Sequence, residues 1–448
     1  MTTLYGTDTA PDAQRDALLD GDVPVTVYGL GKLGLPVAAV YAERTGSVVG
    51  VDVDPSVVER VNAGESSVGR EPGLDALVEK QVERGRLRAT TDASAAAETA
   101  ALHVIVVPTP LDEVSDEPDL SFLDAAVDAV GAGLDAGDAV FVECTVPPGV
   151  CAARVQPRLA DASGLGVEEF GVAACPERVS SGRALKDVRG AHPRVVGGVD
   201  MEAGRVAELV YDTLSENDVQ TVRDAATAAA SKVFEGVYRD VNIAVANELA
   251  RASADLGVAA RDAIAAANTQ PYCEIHDPGP GVGGHCIPWY PYFLMSRTER
   301  ATPLLATARD VNDGMPAYTV ERLRDALAAE GVSLDGARVA VLGLTYRADV
   351  AETRATPARP LIAALTEAGA DPVGVDPLVD DAAAESFAAP VVSLAEAARR
   401  DPDAAVLVTP HREFHDADWS RFDDVVILDG RDALDGAPHP TYTLGGAV

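Results

Sequence analysis

Residues 279–288 read Gly-Pro-Gly-Val-Gly-Gly-His-Cys-Ile-Pro, so Cys286 stands beside His285 at the end of a segment in which five of seven residues are Gly or Pro. That composition excludes a regular helix or strand and lets the backbone approach a ligand. A thiol held there can attack a carbonyl carbon if neighbouring amides or a helix N-terminus lower its pKa. Free cysteines are more often small buried hydrophobes; here the loop context favours the nucleophile.

A second signature is Gly29-Leu30-Gly31-Lys32-Leu33-Gly34, which follows an apolar run, Val23–Tyr28, and opens a helical pattern. Asp52 closes the next apolar run, 18 residues after Gly34. Gly29 makes the tight turn, Gly31 admits a pyrophosphate and Gly34 allows close helix packing, while Asp52 binds a ribose and repels a 2′-phosphate, favouring NAD over NADP. A nicotinamide cofactor and a poised thiol together suggest oxidation through a thiohemiacetal and a thioester that water hydrolyses to an acid. That scheme needs a cation for the oxyanion and a carboxylate for the water. Lys232 and Glu177, the latter in Cys175-Pro176-Glu177-Arg178, are the candidates.

The elements that must position these groups are legible in outline. Apolar runs at His103–Val107, Ala139–Glu143 and Gly171–Ala174 extend the first strand–turn–helix unit into a doubly wound parallel sheet. From about Asp218 to Ala267 the chain is alanine-rich and helical without a strand signal, and Val233, Val237, Val241 and Val245 recur at spacing four as a stripe for a partner subunit or the chain's own core. A second α/β plan starts at Arg338 and includes strands at Pro372–Asp376, Ala404–Val408 and Val425–Asp429. Its turn, Gly343-Leu-Thr-Tyr-Arg-Ala-Asp, lacks the extra glycines and is expected to hold something other than a dinucleotide. The expected fold class is α/β, two Rossmann-like doubly wound domains joined by a central helical dimerisation region. Residues 1–22 form a polar leader and carry no signal-peptide pattern.

The chain carries a net charge of −35, with 71 acidic residues against 36 basic ones, of which only Lys32, Lys80, Lys186 and Lys232 are lysine. That field argues against nucleic acid and anionic membranes as partners. It suits concentrated salt, where the Debye length falls to roughly 3 Å at about 1 M. Five cysteines without CxxC spacing indicate neither disulfides nor a metal site, and a reducing cytoplasm fits them. Arg297, Arg300 and Arg309 read as a solvated helix face, and His411 and His415 as surface or packing residues.

Across nearly its whole length the chain resembles the UDP-sugar 6-dehydrogenases of the UDP-glucose/GDP-mannose dehydrogenase family. The matching segments include the Gly29–Gly34 turn, Val-Pro-Thr-Pro (107–110), Glu143-Cys-Thr-Val-Pro-Pro-Gly, Pro-Glu-Arg-Val (176–179), Arg194-Val-Val-Gly-Gly, Arg239-Asp-Val-Asn, the Cys286 loop, and Gly343-Leu-Thr-Tyr-Arg with Arg354-Ala-Thr-Pro. Histidine before the cysteine is similar to the N-acetylhexosamine branch, the UDP-N-acetylmannosamine enzymes most of all. The resemblance implies an NAD-binding domain at 23–215, a central helical domain with the cysteine loop at 216–318 that forms a homodimer, and a UDP-sugar-binding domain at 319–448. It implies two hydride transfers to NAD, with Cys286 as nucleophile, Lys232 on the oxyanion, and Glu177 with Thr145 handling water. Lys32, Leu33, Thr109 and Thr145 would line the NAD site beside Gly29, Gly31, Gly34 and Asp52. Lys232, Asn242, Gly281, Gly283, Gly284, Arg347 and Arg354 would hold the sugar nucleotide. Substrates within this class are UDP-N-acetylmannosamine, UDP-N-acetylglucosamine or UDP-glucose; a weakened nucleotide-sugar-binding protein is the alternative. Three positions depart from the family's usual residues: Gly236 for asparagine, Tyr290 for aspartate and Tyr272 for arginine.

Overall fold

Four- and five-residue runs of mostly apolar side chains, nearly all of them buried, make the central strands, as a sheet covered by helices on either side requires. The structure is a computed structural model and describes residues 2–69, 71–112, 115–179, 182–434 and 436–446. It divides into two compact units, Met1–Phe234 with Tyr292–Glu299, and Glu235–Pro291 with Arg300–Val448.

In the first unit an eight-stranded sheet runs Val219–Thr221, Arg194–Gly198, Gly171–Ala174, Ala139–Val142, Leu102–Ile105, Val25–Tyr28, Val48–Val51, Leu87–Thr90. Its last six strands follow the 3-2-1-4-5-6 order of dinucleotide-binding sheets, whose switch point lies between Val25–Tyr28 and Leu102–Ile105. Two departures from the sequence reading stand out. Arg194–Gly198 joins Gly171–Ala174 antiparallel, so the sheet is not wholly parallel. Val219–Thr221 pairs with Arg194–Val196 inside the stretch expected to hold no strand; three residues are too short for periodicity to show. The leader is also more than polar chain. Pro11–Asp20 forms a helix with Pro at its start and Gly21 (φ +83°) closing it, and Leu4, Tyr5 and Leu18 are buried in the unit's core.

The second unit carries a six-stranded parallel sheet, Val391–Val392, Asp371–Val375, Arg338–Leu342, Ala404–Leu407, Val426–Asp429, Thr441–Thr443, again in 3-2-1-4-5-6 order. The 32-residue helix Ala225–Leu256 begins in the first unit, ends in the second and stops at Gly257 (φ +65°). Its expected valine stripe is displaced. Val233 is fully buried and Val237 and Val241 are half-buried. The exposed row is instead Tyr238, Val245, Leu249 and Leu256, at spacings of seven, four and seven.

Arg309 corrects another expectation. It is buried, with its guanidinium on Asp240 at 2.5 Å and also on Asp313, because a buried carboxylate needs a paired cation. Arg297 and Arg300 are exposed.

Candidate active site

The first unit builds the turn for a dinucleotide from glycines that the fold itself demands. A Cβ on Gly29 (φ +94°) would overlap the Val106 carbonyl oxygen, and one on Gly34 would overlap the Gly29 carbonyl oxygen. At Gly31 nothing lies within 4 Å, so the bare backbone there faces open space that a pyrophosphate can enter. Asp52 stands at the tip of Val48–Val51, where Oδ2 accepts from the Leu30 N–H at 2.8 Å and Oδ1 from the Asp54 N–H at 3.0 Å. Lys32 is exposed and Leu33 half-buried on the same turn. Thr109 follows the strand across the switch point, and its Oγ1 donates to the Thr145 carbonyl at 2.7 Å. These residues fit a dinucleotide with a free 2′-hydroxyl.

Thr145 and Glu177 sit on loops braced from below. Glu143, fully buried, pairs with Arg194 and accepts from the Tyr211 hydroxyl at 2.6 Å, while the Arg194 guanidinium lies 4.6 Å from the centre of the Tyr211 ring. The Glu177 N–H donates to the Glu143 carbonyl at 3.1 Å, which ties the two loops together. Burial pushes the Tyr211 hydroxyl well above its ordinary pKa, and the Glu143 charge adds to that, so it serves here as a donor. Glu177 Oε2 accepts from the Val179 N–H at 2.6 Å and Oε1 lies 3.9 Å from Lys232 Nζ, with both side chains largely buried.

The second unit gathers Cys286, Asn242, the glycine loop, Arg347 and Arg354. Loop and arginine segment pack directly on one another. A Cβ on Gly281 (φ +146°) would come within 2.9 Å of Pro357, and one on Gly283 within 2.8 Å of Tyr346 and the Ala355 carbonyl. The Gly284 N–H donates to the Arg354 carbonyl at 3.2 Å. The glycines are therefore required by packing. Cys286 is half-buried, and its carbonyl accepts from the Trp289 and Tyr290 N–H groups at 3.2 and 3.0 Å, opening the helix Tyr290–Met295. A hydrogen bond with Cys286 raises the His285 pKa above its ordinary value, although burial opposes it. Tyr346 is pushed up by burial and then by the nearby Cys286.

Asn242 also has a structural job that the sequence did not show. Its Nδ2 donates to the Glu274 carbonyl at 2.8 Å and its Oδ1 accepts from the His276 N–H at 2.7 Å, so the amide clamps the chain leading into the glycine loop. Five residues on, Asn247 accepts from the Gly279 N–H at 2.9 Å and donates to Asn312. Arg431 holds the other side, donating to the Val408 carbonyl at 2.9 Å and the Gly281 carbonyl at 3.4 Å while burial and Arg261 push against its charge. Asn247, Tyr346 and Arg431 were missed in the sequence. For Arg431 one signal was available: it follows a strand, at the end of the sheet where α/β ligands bind.

Gly236 and Tyr290 prove to be one feature. A Cβ on Gly236 would overlap the Tyr290 ring, which is buried in that place. A glycine inside a helix costs about 1 kcal/mol relative to alanine, and the ring it admits explains its presence. Tyr272 is 94% exposed.

Residues 23–215 match the NAD binding domain of the UDP-glucose/GDP-mannose dehydrogenase family, 226–314 its central domain and 340–436 its UDP binding domain. The chain belongs to this family. It is 34% identical to the UDP-N-acetyl-D-mannosamine dehydrogenase of Pyrococcus horikoshii over 420 residues, covering 92% of this chain and 96% of that protein. It is also 34% identical over 415 residues to the NDP-N-acetyl-D-galactosaminuronic acid dehydrogenase of Ralstonia nicotianae, covering 91% and 95%. Among solved structures, the Pyrococcus horikoshii UDP-D-ManNAc dehydrogenase superposes with a TM-score of 0.86 at 33% identity, covering 94% of this chain and 99% of that one. The UDP-glucose dehydrogenase of Pyrobaculum islandicum follows with a TM-score of 0.84 at 27% identity, covering 95% and 98%. The cofactor of this family member is NAD, and the enzyme is a nucleotide-sugar dehydrogenase with two Rossmann-type domains and a central helix.

Proposed function

We propose that this dehydrogenase oxidises the C6 alcohol of UDP-N-acetyl-D-mannosamine to the uronate in two NAD-dependent steps. The observation that carries this reading is Cys286, hydrogen-bonded to His285 at the end of a glycine loop packed on the Arg347–Arg354 segment, in a chain 33–34% identical to UDP-N-acetyl-D-mannosamine dehydrogenases. The Gly29 turn, Asp52 and Thr109 would hold NAD, which when bound would supply the hydride acceptor for each oxidation.

After the alcohol has become an aldehyde, the Cys286 thiolate adds to C6 and Lys232 balances the oxyanion. The second oxidation leaves a thioester. Glu177 and Thr145 then direct a water to its carbonyl carbon, the C6–sulfur bond breaks, and the uronate and the thiol are released. Arg347 and Arg354 supply cations for the diphosphate. The enzyme works as a cytoplasmic homodimer, for which the exposed row Tyr238, Val245, Leu249 and Leu256 offers an apolar face. A rival substrate, UDP-glucose, is favoured by the likeness to the Pyrobaculum islandicum structure.

The test is NADH absorbance with UDP-N-acetylmannosamine, UDP-N-acetylglucosamine and UDP-glucose in molar KCl. Two NADH per UDP-N-acetylmannosamine, lost in Cys286→Ala, is expected. Turnover of UDP-glucose alone would overturn the substrate, and tight binding with no NADH from any sugar would overturn the reaction.

A further inference from the structure

His411 sits in the second unit just past Ala404–Leu407, at the switch point of the sheet, where α/β folds bind their ligands. It is fully buried, and three groups surround its ring. Nδ1 accepts from the Asp349 N–H at 3.0 Å, which identifies Nδ1 as the unprotonated nitrogen and Nε2 as the donor. From Nε2 the ring reaches Asp376 Oδ2 at 2.9 Å and Thr345 Oγ1 at 2.8 Å.

Each contact bears on the turn that carries Arg347. The Asp376 carboxylate accepts from the Leu344 and Thr345 N–H groups at 2.7 and 3.0 Å, which fixes the start of the turn. The Thr345 hydroxyl donates to the Arg347 carbonyl at 3.2 Å. Asp349, two residues on, has φ +60°, a conformation that costs a non-glycine residue about 1 kcal/mol or more. It is held there by its N–H bond to His411 and by the Arg412 N–H on its carboxylate at 3.3 Å. One imidazole thus ties the beginning, middle and end of a seven-residue turn whose exposed members are Arg347 and Asp349.

We infer that His411 is a positioning residue for nucleotide-diphosphate binding, acting through Thr345, Asp376 and Asp349 to hold the Arg347 turn in its binding shape. This rests on the reading that the second unit takes the UDP end of the substrate.

The experiment is calorimetric titration of the full-length protein with UDP, and separately with NAD, in molar KCl. His411→Phe should weaken UDP binding about tenfold, the loss expected when hydrogen bonds that preorganise a charged contact are removed, with NAD binding unchanged. His411→Asn, which keeps an acceptor for the Asp349 N–H, should recover part of that loss. Combined with Arg347→Ala, the His411→Phe loss should largely disappear, since a misplaced turn cannot matter once the arginine is gone. Losses that add in full, or UDP affinity unchanged in a folded His411→Phe protein, would overturn the inference. If His411→Phe does not fold, Thr345→Val removes the hydroxyl's links to the Arg347 carbonyl and to His411 Nε2 but keeps the Asp376 and Asp349 contacts of the ring, and should give a smaller loss with the same dependence on Arg347. Failure of the wild type to bind UDP would instead sink the UDP reading itself.

Discussion

Gly29 and Gly343 open two turns of one design that end in opposite conditions. In each, a glycine of positive φ follows the first strand, a Cβ there would overlap a chain carbonyl across the switch point, and the next residue is a leucine packed on a strand glycine, Gly50 or Gly374. In each, an aspartate at the tip of the second strand accepts the leucine N–H, at 2.8 Å for Asp52 and 2.7 Å for Asp376. The difference lies in what faces the aspartate. Asp52 is half-buried beside the bare Gly31 backbone, whereas Asp376 is capped by His411. The first turn leaves its carboxylate accessible, as the proposed ribose contact requires; the second uses it as a structural anchor and exposes Arg347 instead.

The sharpest way to break that comparison is to show that chemistry depends on either turn. Cys286→Ala should lower kcat by at least ~10³-fold, as loss of a covalent nucleophile does, while UDP and NAD titrations stay as in the wild type; loss of either affinity would mean the thiol belongs to a binding site. Next come the mirrored glycines. Gly29→Ala should cost about 2 kcal/mol or more through overlap and strain and remove NAD binding only, and Gly343→Ala should do the same to UDP; a variant that harms both nucleotides alike would undo the idea of independent turns.

Asp52→Ala should raise the KM for NAD about tenfold, the worth of a charged hydrogen bond, and leave stability nearly unchanged. Asp376→Ala should lower Tm by several degrees, because it strands buried N–H groups and His411. Equal Tm losses would show that the two carboxylates do the same work.

Between the turns in scale lies a pH effect at the loop. The His285 pKa is raised by Cys286, so that link stabilises the fold fully below the ordinary histidine pKa and is lost as pH rises through the higher folded value. The Tm gap between wild type and His285→Ala should be largest near pH 6, worth about 1 kcal/mol, and shrink by pH 9. Least selective is salt. Molar KCl should raise Tm by roughly 3 °C or more over dilute buffer by screening the net charge of −35; an unchanged Tm would remove the case for salt adaptation.

Much of this was legible in the chain. The Gly29–Gly34 turn, Asp52 and the Cys286 loop follow from local composition, since a glycine at a turn that needs φ above zero, or a strand that ends in an aspartate, is visible within about 25 residues. Glu177 and Lys232 could be named and do face each other within the first unit. Asn242 could be named, but its type could not say that its amide also reaches residues 274 and 276. Arg309, taken for a solvated cation, is buried on Asp240, 69 positions away.

What the sequence determined by itself was therefore the α/β plan, the NAD turn, the glycine loop that carries Cys286 and the family, all properties of short runs whose spacing maps directly onto backbone geometry. Tertiary structure alone decided that Tyr290 fills the space left by Gly236, that Asn247 and Arg431 grip the glycine loop from two sides, and that His411 closes the second turn over Asp376. Each of those pairs is joined by chain closure over tens of residues, and no local pattern encodes which distant side chain will arrive to fill a buried contact.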